Sequence, residues 1–199
     1  MPEMNPSERT QAVKDALVEA LIRLMKDENL DAISVRAIGA EAGINHGLIH
    51  RHFGSKEELV RAAARAVSAR FFELSPEREM LSHTFALIDA DPALVPAVAR
   101  LCLDGHADRL AAAAPSDAAL ARAVAPIARA LERVGFATSL DPYVANALAT
   151  AALLGWFTFR PLFETAFGVG PDAHQQVQGL LALLDEITAP EPKGGKAEP

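Results

Sequence analysis

Only one cysteine, Cys102, occurs in the 199 residues, which excludes an internal disulfide and is compatible with a reducing cytosol. Basic charge is also scarce. Nineteen Lys and Arg against twenty-six Asp and Glu leave a formal net charge of −7, which argues against a protein that coats nucleic acid by bulk charge. Runs of β-branched residues of the kind that build strands are few, while alanine and leucine dominate, so the chain is expected to be all-α. No basic stretch leading into an apolar core opens the sequence, so no secretion signal is expected and the protein is placed in the cytoplasm. No internal repeat is visible. The 50% hydrophobic content is enough, at this length, to bury a core as one or two domains.

Against this background residues 34–53 stand out. Ser34 is a good N-cap, and Val35, Ile38 and Ala42 follow at i, i+3 and i+7, one face of a helix. Gly43 supplies the left-handed residue that ends it. Asn45 is expected to cap a second helix, with Ile44 packing on Ile49 as a hydrophobic staple. Ile49 and Phe53 anchor that helix inward, leaving His46, Gly47, His50 and Arg51 outside. A support helix, a tight turn and an outer helix carrying donors is the helix-turn-helix that enters the DNA major groove. From Asn45 to Lys56 there are Arg51, Lys56 and three histidines but no acid, so an acidic body carries a local donor cluster.

The flanks complete a three-helix head. Val13, Leu17, Ala20, Leu21 and Leu24 form an apolar stripe on a first helix beginning near Asn5-Pro6-Ser7, with Asn29 expected as its left-handed end. Gly54 closes the second helix of the motif, and Ser55-Lys56-Glu57-Glu58 has the capping-box pattern of a fourth. The positive end of that helix, with Lys56, can hold a phosphate.

These residues resemble the tetracycline-repressor (TetR) family of bacterial transcription factors. The resemblance lies in Ser34-Val35-Arg36-Ala37-Ile38-Gly39, Ala42-Gly43-Ile44-Asn45, Gly47-Leu48-Ile49-His50-Arg51-His52-Phe53 and Ser55-Lys56-Glu57-Glu58-Leu59, and it covers about the first 60 residues. Three positions depart from the family's pattern: Gly39 stands where Ala is usual, Leu48 where Thr is usual, and His50 where a phosphate-binding Tyr is usual. By helix propensity alone Gly39 costs up to about 1 kcal/mol. The resemblance implies an N-terminal DNA-binding head, a C-terminal helical ligand-binding and dimerisation domain, and a dimer formed by the last two long helices.

Beyond residue 60 the chain reads as helices without chemical motifs. The fourth helix runs to about Leu74, and another spans Pro76 to Ile88. A further helix from Pro92 reaches about Leu110, and one from Ser116 or Asp117 to Val134 carries Pro126, a kink position. Asp141-Pro142 starts a long helix towards Phe167, and Gly170-Pro171-Asp172 starts the last, with a proline-, glycine- and lysine-containing tail over 189–199 expected to be disordered. The 142–167 segment is apolar nearly all round, but Asn146, Arg160, Pro161 and Glu164 interrupt it and argue against a membrane span. A helix apolar on all sides is normally buried on all sides, so a second subunit is expected to cover one face. Leu148, Ala152, Val177, Leu180, Leu181 and Leu184 are the expected interface, with ordinary core as the alternative.

The expected organisation is therefore a helix-turn-helix domain over 7–54, an effector-binding and dimerisation domain over 55–188, and the tail. Ser34, Arg36, Asn45, His46, Gly47, Leu48, His50, Arg51, His52 and Lys56 are the candidate contacts to a double-stranded operator. Asn45, His46, Gly47 and Leu48 lie nearest the bases, while His50, Arg51 and Lys56 clamp phosphates. Phe72, Phe85, Leu101, Cys102, Trp156, Phe157 and Phe159 are candidate walls of a pocket for a small apolar effector. His46 and His50 share a helix face, but a metal site needs a third ligand and no Cys or Asp lies near, so no metal or cofactor is expected. Asp89-Ala90-Asp91 before Pro92 reads as a turn. Cys102 and His106 lie four apart on an expected helix, yet no third orienting group stands out, so no catalytic site is assigned. Two alternatives stand beside the ligand-responsive homodimeric regulator: a DNA-binding dimer without a ligand, and a helical enzyme using Cys102 and His106.

Overall fold

Three stretches of chain, residues 5–73, 81–112 and 141–188, are described by the computed structural model, and every regular element among them is an α-helix. The expected helix over 116–134, the tail, the start of the expected 76–88 helix and the Phe72 side chain lie outside the described residues. The helices are α1 (Pro6–Leu24), α2 (Val35–Ala42), α3 (Gly47–Phe53), α4 (Lys56–Glu73), α5 (Leu81–Ala90), α6 (Leu94–Leu103), α7 (Ala107–Ala111), α8 (Pro142–Ala166) and α9 (Ala173–Thr188). They fall into two compact units: α1–α4 with α6 and α7, and α5 with α8 and α9.

Local signals set the starts of these helices. Asn5 Oδ1 accepts the Glu8 N–H at 2.8 Å and the Glu8 carboxylate accepts the Asn5 N–H at 2.8 Å, a complete capping box ahead of Pro6. Ser55 Oγ accepts the Glu58 N–H at 3.2 Å at the start of α4, but the Glu58 carboxylate turns to Arg61, so only half of the expected box forms there. Asp141 Oδ1 accepts the Tyr143 N–H at 2.7 Å ahead of Pro142.

Two helix ends differ from expectation. α1 stops at Leu24, well before Asn29, and no non-glycine residue among those described has positive φ. Met25, Leu30 and Ile33 are all at most 2% exposed, so the chain turns back early to bury them. Asn29 contributes instead as an acceptor, its carbonyl taking the N–H groups of Ala32 and Ile33. The helix expected from Pro92 to Leu110 breaks into α6 and α7 at Asp104-Gly105-His106. Gly105 takes φ 80°, and the His106 N–H returns to the Leu101 carbonyl at 2.7 Å. The break removes the geometry on which a Cys102–His106 pair depends, since the two no longer share a helix.

The first unit closes on Leu17, Leu21 and Ile22 from α1, Met25 just after it, Ile38 from α2, Ile49 from α3, Leu59, Ala63 and Val67 from α4, and Leu94, Val95 and Leu101 from α6. In the second, Phe85 of α5 is fully buried, its ring 4.9 Å from Phe157 of α8 and 4.7 Å from His174 of α9. The buried Asp185 carboxylate accepts the Ser82 N–H at 2.9 Å, supplying an anion to the first turn of α5. α8 is long and apolar but keeps Leu148, Phe159 and Leu162 exposed, and α9 exposes Leu180, Leu183 and Leu184. Among the described residues no helix is long and apolar enough to cross a membrane.

Candidate DNA-binding site

The connection between α2 and α3 is built from hydrogen bonds that the sequence dictates. Ser34 Oγ accepts the Ala37 N–H at 3.1 Å, opening α2. Gly43 at φ 65° lets its own N–H reach the Ala40 carbonyl at 3.1 Å and the Ile44 N–H reach the Gly39 carbonyl at 2.8 Å, the paired bonds of a Schellman motif. The turn returns so tightly that a Cβ on Gly39 would lie 2.8 Å from the Ile44 carbonyl oxygen and 3.0 Å from the His46 Cα. Gly39 is therefore what lets the two helices approach. The sequence reading counted it as a propensity cost and missed this, because the clash is with backbone five and seven residues away.

Asn45 acts one step earlier than expected. Its Oδ1 accepts the Gly47 N–H at 2.8 Å, an Asx turn, and α3 begins at Gly47, with His46 at the cap position and no side-chain cap bond. The Leu48 and Ile49 N–H groups bond to the carbonyls of Asn45 and His46, so the entry to α3 is a tight 3₁₀-like turn. Ile49 is fully buried and Phe53 half-buried, which fixes the rotation of the helix.

The outer face follows from that rotation. Asn45, His46, Gly47, His50 and Arg51 are exposed, whereas Leu48 and His52 are half-buried. His46, Arg51 and, on α2, the exposed Arg36 make no hydrogen bond or ion pair among the described residues, so their donors remain available. The exposed Ser34 hydroxyl has given only its acceptor, and Asn45 keeps both amide N–H groups. His50 Nδ1 lies 3.2 Å from the Gly54 carbonyl oxygen. A carbonyl only accepts, so Nδ1 carries the proton and Nε2 faces outward for a partner. Lys56 opens α4 and donates to the Leu30 carbonyl. One of its three N–H groups is thereby used.

Of the expected effector residues, Leu101 and Cys102 belong to the first unit and Phe85, Trp156, Phe157 and Phe159 to the second. Leu101 is fully buried in the first unit, and Cys102 beside it is exposed. Phe85, Trp156 and Phe157 cluster in the second unit around His174, whose Nδ1 accepts the Trp156 indole N–H at 3.2 Å and whose Nε2 lies 3.0 Å from Asp89. Phe159 is 52% exposed. A groove of about 540 Å³ in the first unit is lined instead by charged groups, among them Glu19, Arg23, Glu41, Arg70 and Asp91. Of the interface candidates, Leu148, Ala152, Leu180 and Leu184 are exposed, Val177 is half-buried, and Leu181 packs inside its own unit. No group of three potential metal ligands occurs among the described residues.

Residues 17–63, which span the motif, match the family model for bacterial regulatory proteins of the tetR family. The chain is similar to an HTH-type transcriptional repressor of Mycobacterium tuberculosis, 29% identical over 160 residues that cover 80% of this chain and 79% of the relative. It is also similar to the HTH-type transcriptional regulator BetI of Rhizobium meliloti, 37% identical over 54 residues, or 27% of each chain. Among solved structures, a candidate transcriptional regulator of Pseudomonas aeruginosa PAO1 superposes with a TM-score of 0.58 at 25% identity, over 94% of this chain and 93% of that one.

Proposed function

We propose that the chain, whose residues 17–63 match the tetR-family model, is a homodimeric repressor of that family whose α3 helices enter a palindromic operator and whose release is driven by a small apolar effector. The observation that carries the DNA reading is the α2–α3 face. His46 and Arg51 stand exposed without partners among the described residues, in an acid-free stretch at the cap and on the outer face of a helix anchored by Ile49. Two such helices related by a two-fold axis meet half-sites roughly 34–36 Å apart. In this reading residues 7–54 read DNA and 55–188 carry dimerisation and effector binding. The half-buried Trp156 and Phe157, packed over the buried Phe85, are the apolar side chains offered to the effector. The repressor name of the mycobacterial relative favours repression over activation.

Base contacts and phosphate contacts separate experimentally. With an operator selected from random duplexes, His46→Ala and Leu48→Ala relax preference at individual base pairs by about 1–3 kcal/mol each. Arg51→Ala weakens operator and random DNA alike and lowers the slope of affinity against salt. Titration of both DNAs by fluorescence anisotropy decides it: equal losses on the two for His46 and Leu48 remove them from readout.

A further inference from the structure

We propose that Asp104, at the end of α6, is a positioning residue for DNA binding that acts through the backbone of Leu30 on Lys56; this rests on the reading of Lys56 as a phosphate contact. Asp104 follows α6 as its C-cap, and its Oδ2 accepts the Leu30 N–H at 2.8 Å. The carbonyl of the same residue accepts from the Lys56 ammonium at the start of α4. A carboxylate, one amino acid's backbone polar groups and an ammonium thus stand in series, separated in sequence by 74 and 26 residues.

The Leu30 N–H and C=O belong to successive peptide groups joined at Cα, so the link between the two bonds is mechanical: with its N–H held by Asp104, the Leu30 backbone keeps its carbonyl in place for Lys56. Leu30 is 2% exposed, which anchors its backbone, and Arg100, one turn before Asp104, donates to the Asn29 side chain. The last turn of α6 therefore grips residues 29 and 30 at two points.

The consequence for Lys56 is pre-organisation. A lysine stem is long and flexible, and an untethered ammonium must be ordered when it meets a phosphate. Here one N–H is fixed on Leu30 and two remain for an anion. The neighbouring acid, Glu57, is paired with Arg109 of α7, which offsets its charge beside the same helix end. The short helix α7 thereby bears on the DNA face without touching it. Nothing local in the sequence marks Asp104, because its partner is distant in the chain.

The test is a double-mutant cycle on the full-length protein, read as operator affinity, with melting curves to confirm folding. Asp104→Asn keeps an oxygen where the carboxylate stood and removes only the charge. Lys56→Ala is expected to weaken operator binding, and Asp104→Asn to weaken it about three- to five-fold, the scale of a partly exposed charge interaction. In the Lys56→Ala background Asp104→Asn is expected to have no further effect, whereas a merely structural role would leave its loss intact. Full persistence of that loss, or a neutral Asp104→Asn in the wild type, overturns the proposal. A neutral Lys56→Ala fails at the earlier step and removes Lys56 itself from the DNA contacts, taking the relay with it. Should Asp104→Asn not fold, the Leu30 amide proton in the Asp104-containing protein serves instead. Lys56→Ala shifts it upfield if the two bonds are coupled, and an unmoved resonance overturns the relay.

Discussion

Leu180→Glu with Leu184→Glu is expected to leave the protein monomeric at micromolar concentration and to reduce operator affinity roughly a hundredfold or more, since a single head loses the effective concentration that its partner supplied. Both leucines belong to the uncovered stripe of α9, Leu180 at 56% and Leu184 at 37% exposure, and Leu148, Phe159 and Leu162 of α8 are exposed as well. Fully burying a leucine is worth about 1.5–3 kcal/mol, and an unpaired carboxylate in its place costs more. Because these side chains project from the single chain, the double variant should retain its helical circular dichroism. Leu181, between them, is 9% exposed and packs inward, so Leu181→Glu is expected to unfold the second unit. Sedimentation velocity of all three proteins checks the contrast, and a stable wild-type monomer would sink the dimer.

The second large effect is expected at Gly39, where the sign runs against habit. Gly→Ala inside a helix normally gains about 1 kcal/mol. Here the new methyl would sit 2.8 Å from the Ile44 carbonyl and 3.0 Å from the His46 Cα, both backbone atoms that cannot rotate away. Relief requires α3 to move out from α2, which strains the Schellman bonds and displaces His46. Gly39→Ala is expected to destabilise the protein by about 1–3 kcal/mol, as overpacking does. The displaced recognition helix should also lose operator preference beyond what the loss of stability explains. Denaturant melts and operator titration below the transition measure the two separately. Unchanged stability together with unchanged affinity would show that the turn has room.

The helix-turn-helix was legible because its determinants are local. Ser34, Gly43 and Gly54 each act within a few residues, and the alternation of Ile49 with exposed donors sets which side of α3 faces outward. The misses share one cause, tertiary contact. α1 ends early because Met25, Leu30 and Ile33 find burial together. α6 breaks where Gly105 turns the chain, and Gly39 answers to backbone beyond its own helix. The effector candidates are mostly large apolar side chains in helices, a property that core, surface and pocket positions share, so composition does not assign them to one unit or the other.

The exposure of Cys102 has a practical side. As the sole thiol of the chain, standing in the open at the end of α6, it is a ready-made attachment point for a maleimide dye, with no background cysteine to remove. Such a label would sit two residues from Asp104, on the element that grips Leu30. Its polarisation and quenching would report on that helix end as operator or candidate effectors are added. A library of small molecules could therefore be screened on the unmodified sequence, by light, before any target gene is known.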